Sequence, residues 1–147
     1  MEDKSTEELN KILENVGPKS IDKYLADNKE EIKDAQKSFY YFFKDTLDKK
    51  RRSLKAVYGA ACIDEGYAGK IIRMEKRTSN RDLIIKLCIA GQFNLEETNR
   101  ALKLYEMQPL YPRNTRDVCI IVAINKRIYD IDKINEILTE NKLDIIA

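Results

Sequence analysis

The feature that most constrains the fold is an internal duplication. NRDLIIKLCIAGQFNLEETNRALKLYEM, from Asn80, aligns with TRDVCIIVAINKRIYDIDKINEILTENKL, from Thr115. Arg81-Asp82 corresponds to Arg116-Asp117 at an offset of 35 residues. Past one inserted residue, Asn94-Leu95, Asn99 and Leu102 correspond to Asp130-Ile131, Asn135 and Leu138 at an offset of 36. Each copy reads as an apolar helix, a short turn and an amphipathic helix, which is a helical hairpin. Asn94 and Glu97 have the spacing of a capping box, and Asp130 is the equivalent cap. The Arg-Asp pairs are expected to put an acid in a first helical turn and to pair locally. The repeated asparagines are expected to hydrogen-bond a neighbouring turn. Between the copies, Pro109 and Pro112 in MQPLYPRNT interrupt any continuous helix.

The rest of the chain is also rich in helix formers. Five glycines and three prolines in 147 residues favour an all-α fold. A first helix is predicted over 6–14, ended by Gly17-Pro18, and a second after Ser20 as its cap. Phe39, Phe42, Phe43, Thr46 and Leu47 recur at helical spacing and make one buried stripe. Ser53 is a good N-cap for the helix LKAVYGAAC. This reading divides the chain into an N-terminal helical extension (1–37), a middle core (38–107) and a C-terminal helical hairpin packed on it (108–147).

Several function classes are disfavoured. There is no histidine, the commonest general base and zinc ligand. Cys62, Cys88 and Cys119 are far apart and lie in apolar sequence, as free buried thiols of a reducing, cytoplasmic compartment would. No metal or other cofactor is expected. The charged opening MEDKSTEELN and the lack of an 18-residue apolar run predict neither a signal peptide nor a membrane span. No phosphate-binding glycine loop or nucleophile motif occurs, and adjacent carboxylates such as Glu30-Glu31 point apart, so an enzyme is not expected.

Charge is distributed unevenly. Residues 1–34 carry a net −4, residues 49–81 a net +7, and residues 82–147 a net −1. The positive segment contains CIDEGYAGKIIRMEKRTSNRD, from Cys62. Asp64 can cap a helix from Glu65 to about Met74. On it, Ala68, Ile71 and Ile72 face inward, while Gly66, Gly69, Lys70 and Arg73 share the outer half. Two interior glycines cost about 1 kcal/mol each relative to alanine. Close approach of an external backbone would offset that cost, and so would a neighbouring helix of the same chain.

The stretch SLKAVYGAACIDEGYAGKIIRMEKRTSNRDLIIKLCIAGQFNLEETNRAL resembles the helix-turn-helix core of lambda-repressor-like (XRE-type) proteins. It is more similar to a bacterial subgroup in which that core precedes a helical repeat containing LY.R..RD, here LYPRNTRD. The resemblance spans about residues 20–143 and rests on Ile63, Asp64, Tyr67, Gly69 and Lys70. It implies a supporting helix from Ser53 to Ala61 and a recognition helix over about 65–73. The family's turn glycine is replaced by Cys62, its supporting-helix glutamine by Leu54, and Asp64 and Glu65 add acid at the start of the recognition helix.

The expected function is therefore sequence-specific binding of double-stranded DNA by a transcriptional regulator, with the recognition helix in the major groove. The expected DNA-binding residues are Arg52, Ser53, Lys55, Glu65, Gly66, Gly69, Lys70, Arg73, Lys76 and Arg77. A homodimer is the expected assembly, since two half-sites multiply affinity. The alternative is an adaptor on the same scaffold that binds a protein partner through the C-terminal repeat and not DNA.

Overall fold

The computed structural model describes residues 4–147, the side chain of Asp34 apart, and shows an all-α protein with no strand among those residues. Ten helices follow in order: α1 Thr6–Leu13, α2 Ile21–Asp27, α3 Lys29–Gln36, α4 Ser38–Lys49, α5 Leu54–Ala61, α6 Glu65–Ile72, α7 Arg81–Ala90, α8 Leu95–Leu104, α9 Thr115–Asn125 and α10 Ile131–Glu140. The chain groups into two compact units, Met1–Ser38 and Phe39–Ala147.

In the first unit, Ser5 caps α1 by accepting from the Glu8 N–H, and a single 3-10 turn, Pro18–Ser20, leads into α2. Ser20 was expected to cap α2, but its side chain makes no such bond; the preceding 3-10 turn holds its backbone at ψ 11°, away from the extended geometry a cap requires. Asn28 is buried, receiving the Lys4 ammonium on its Oδ1 and donating its amide to the Tyr24 carbonyl. None of the apolar side chains of α1 and α2 is buried.

The second unit holds the hydrophobic core. Phe39, Phe43, Thr46 and Leu47 of α4 are buried and Phe42 is partly so, which reproduces the stripe read from the sequence. Phe39 meets the Tyr105 ring edge-on at 4.8 Å, and Phe43 packs 4.9 Å from Phe93. Each fully buried Phe, Leu or Ile contributes about 1.5–3 kcal/mol before entropy is counted. Helix α7 is the axis of the unit: it packs against α5 and α8, and Ile84, Ile85, Leu87, Cys88, Ile89 and Ala90 are all buried.

The helices of this unit end alike. Arg51, Cys62, Met74, Gln92, Glu106, Arg127 and Lys142 all have φ between 53° and 62°, the left-handed region. In each case the next N–H reaches back five residues, as Ile63 N–H does to the Tyr58 carbonyl and Phe93 N–H to the Cys88 carbonyl. These are left-handed helix caps built without a single glycine, although no described glycine has a positive φ elsewhere either.

The two copies of the duplicated sequence are the hairpins α7–α8 and α9–α10. Their cores match: Ile85 and Ile120, Ile89 and Ile124, Leu102 and Leu138 are buried at equivalent places. Asn94 and Glu97 form the capping box, and Asp130 accepts from the N–H groups of Asp132 and Lys133. The Arg-Asp pairs do not pair locally. Arg81 makes two parallel bonds to Asp117, at 3.0 and 2.9 Å, and Arg116 makes two to Asp82, at 2.8 and 2.7 Å. Adjacent residues on a helix diverge by 100°, so an arginine cannot fork onto the acid beside it, whereas the first turns of α7 and α9 exchange theirs.

Each arginine also holds the segment that follows its own hairpin. Arg81 donates to the carbonyls of Gln108 and Pro109, and Arg116 to those of Asp144 and Ile145. The repeated asparagines complete the match. Asn99 Oδ1 accepts from the Leu110 N–H at 2.9 Å, and Asn135 Oδ1 from the Ile146 N–H at 2.8 Å. Leu110 and Ile146 are thereby buried at equivalent positions.

Candidate nucleic-acid interface

The α5–α6 segment is built by local signals. Ser53 accepts the Ala56 N–H at the start of α5, and Asp64 accepts the Tyr67 N–H at the start of α6. Between the two eight-residue helices lies a three-residue turn, Cys62-Ile63-Asp64, whose bend is made by Cys62 at φ 53°, ψ 43°. Cys62 thus adopts the left-handed conformation for which glycine is the usual choice. Val57, Ala61, Ala68, Ile71 and Ile72 seal the inner faces of both helices.

Tyr105 ties down the chain beyond α6. Its hydroxyl lies 3.5 Å from the Ile71 and Lys76 carbonyls and accepts the Thr78 N–H at 3.3 Å. Burial pushes the Tyr105 hydroxyl above its usual pKa, keeping it a neutral donor. Arg77 lies over the same ring, 5.6 Å from its centroid.

The expected contact residues fall into distinct groups. Lys55, Glu65, Gly66 and Lys70 are exposed, and neither lysine makes an ion pair among the described residues. Ser53 is exposed but its hydroxyl is engaged as the cap. Lys76 sits over the Tyr67 ring at 5.2 Å, with Tyr67 itself 38% exposed. Arg77 reaches Glu106 at 3.4 Å.

Three of the expected residues are placed otherwise. Arg52 sends its Nε–H to the Ala90 carbonyl at 2.7 Å, so it satisfies the C-terminus of α7. Arg73 folds back along α6 and donates to both Glu75 oxygens, at 3.1 and 3.4 Å, which raises the pKa of its guanidinium. Gly69 is buried rather than presented: a Cβ there would lie 2.8 Å from Arg73 Nη1, so the arginine itself covers the glycine. A wheel diagram places both on one outer face but does not show that one side chain lies down on the other. Burial raises the Tyr58 hydroxyl on the facing helix, partly offset by Arg73.

Sequence reasoning did not single out Glu75 or Tyr105. Glu75 is the acid nearest in sequence to Arg73, and that proximity was the available signal. Tyr105 lies 27 residues from Thr78, and nothing in the pattern links them.

Among the described residues, no group of histidine, cysteine and carboxylate side chains is arranged to hold a metal ion. No helix among them is long and apolar enough to cross a membrane. No protein-family model, curated protein or solved structure matches the chain.

Proposed function

We propose that the protein binds double-stranded DNA through α6, with α5 as the supporting helix. The observation that carries this reading is the outer face of α6. It follows a capped three-residue turn and offers Gly66 and Lys70 to solvent, with Lys70 bound to no acid. Lys55 on α5 supplies a second uncommitted cation, and Lys76 a third held against Tyr67. These lysines would contact phosphates, which give affinity and register rather than sequence discrimination. Glu65, exposed in the first turn of α6 and not used in the cap, can accept from cytosine N4.

The test is fluorescence anisotropy with labelled duplex fragments at two salt concentrations. Binding should weaken steeply as salt rises, and Lys55→Gln and Lys70→Gln should each make the slope of log K against log salt shallower by about 1. Absence of binding at low salt, or an unchanged slope in both variants, rules the reading out.

The second reading, an adaptor that binds a protein, is favoured by one feature. Val118 and Val122, one turn apart on α9, are 37% and 50% exposed. Their equivalents in the first hairpin, Leu83 and Leu87, are partly and fully buried. On this reading Val118→Ser with Val122→Ser abolishes a stoichiometric protein complex, and no DNA affinity is found.

A further inference from the structure

The groove between α4 and α8 differs from the corresponding place in the second hairpin in a way the fold does not require. It has a volume of about 690 Å³, within the range of small-ligand sites, and Phe42 and Thr46 form one wall. Lys49, Arg100 and Lys103 line its rim, and none of them makes an ion pair among the described residues. Two acids also line it. Glu97 is engaged by Lys50 at 2.8 Å and by the Asn94 N–H, which leaves Glu96 as the single uncommitted carboxylate against three cations.

Comparison within the chain separates scaffold from groove chemistry. Residues that build each hairpin are matched in the other: the helix caps, the Arg-Asp exchange, and the asparagine that holds the following segment. The rim cations are not. Thirty-six residues on, Arg100 becomes Glu136 and Lys103 becomes Thr139, and the second hairpin folds without them. The asparagines differ too. Asn135 donates its amide to the Ile146 carbonyl at 2.9 Å, whereas the Asn99 amide, on the groove wall, has no acceptor among the described residues.

We infer that this groove binds a small anion carrying a flat ring, such as a nucleoside monophosphate. Lys49, Arg100 and Lys103 would meet the anion, the Asn99 amide would donate to it or to a ring acceptor, and the partly buried Phe42 would offer its ring surface. The inference is independent of the DNA reading, since it uses neither α5 nor α6.

Titration of the ¹⁵N-labelled full chain with adenosine monophosphate, followed by NMR, tests it. The expected result is saturable shifts in α4 from 42 to 49 and in α8 from 99 to 103, weakening as salt rises. Adenosine and inorganic phosphate should each bind at least tenfold more weakly. Arg100→Glu with Lys103→Thr installs the second hairpin's residues, so it should lose at least tenfold in affinity with an unchanged denaturation midpoint. Phe42→Leu, which keeps an apolar wall, should reduce the preference over inorganic phosphate. Lack of saturable shifts up to about 10 mM, a weaker limit than any useful affinity, overturns the inference. So does unchanged binding in the Arg100→Glu, Lys103→Thr variant, or equal binding of inorganic phosphate alone.

Discussion

The two halves of the Arg-Asp exchange look alike in sequence, yet they should not be equally costly to break. The Asp117 side chain is only 7% exposed and accepts three bonds, two from Arg81 and one from the Tyr111 N–H at 3.0 Å. Asp82 is 26% exposed and accepts two, both from Arg116. Asp117→Ala takes both fork acceptors from Arg81, which keeps the Gln108 and Pro109 carbonyls, and in addition leaves the Tyr111 backbone N–H unpaired, at a cost of about 3–4 kcal/mol. Asp82→Ala exposes Arg116 to water and to the carbonyls it already uses, at about 1–2 kcal/mol. Urea and thermal denaturation, followed by circular dichroism and tyrosine fluorescence, measure both. At about 4 °C per kcal/mol for a unit of this size, the melting shifts should differ by roughly 8 °C.

The pH dependence gives an independent check. Burial alone would raise the Asp117 carboxyl, but the Arg81 pair and the Tyr111 N–H outweigh it and hold the pKa below the usual 3.8. A depressed folded-state pKa stabilises the protein above the unfolded value, and that contribution is lost as pH falls from about 3.8 through the lower folded value. The Asp117→Ala penalty should thus be full at neutral pH and shrink in that acid window. Equal penalties for the two aspartates, or an Asp117 penalty under about 1 kcal/mol at neutral pH, refutes the reasoning.

Three further predictions follow from local geometry. Gln92→Gly, Arg127→Gly and Lys142→Gly relieve left-handed strain at exposed caps and should each stabilise by about 0.5–1 kcal/mol in denaturant titrations. Glycine-to-alanine changes should split in sign. At Gly69 the new methyl meets only the movable end of Arg73, so helix propensity should win by up to about 1 kcal/mol; at Gly91 it meets Phe93 and Leu47 at 2.9–3.1 Å in the core, and a loss of about 1–3 kcal/mol is expected. Thiol labelling should modify exposed Cys62 at once and Cys88 only on unfolding, because burial both hides the Cys88 thiol and pushes its pKa far up.

The fold was legible where local chemistry decides it. The all-helical class, the aromatic stripe of α4 and the caps at Ser53, Asp64, Asn94 and Asp130 each follow from spacing and side-chain type. What stayed hidden is relational. The offset between Arg81 and Arg116 says that two residues correspond, but not that each takes the other's aspartate. The asparagine pair was expected to bond a neighbouring turn, and sequence position did not say that each would hold the segment leaving its own helix pair. At the candidate interface the helix face was readable and its occupancy was not. Arg73 could be assigned a direction from Cα to Cβ, whereas its three further torsions, which bring it to Glu75 and over Gly69, are set by neighbours absent from a periodicity argument. Arg52 was hidden for the same reason, since its acceptor lies 38 residues away.

The crossed arginines also limit how the duplication can grow. In an open array each module presents one unused surface to the next, so modules can be added indefinitely. Here each fork and each carboxylate is already taken by its counterpart, and the segments leaving both hairpins are gripped by the same two side chains. A third module of the same design would arrive with an unmatched guanidinium and an unmatched acid. The arrangement is saturated at two, and lengthening such a chain would require rewriting the very residues that mark it as a repeat.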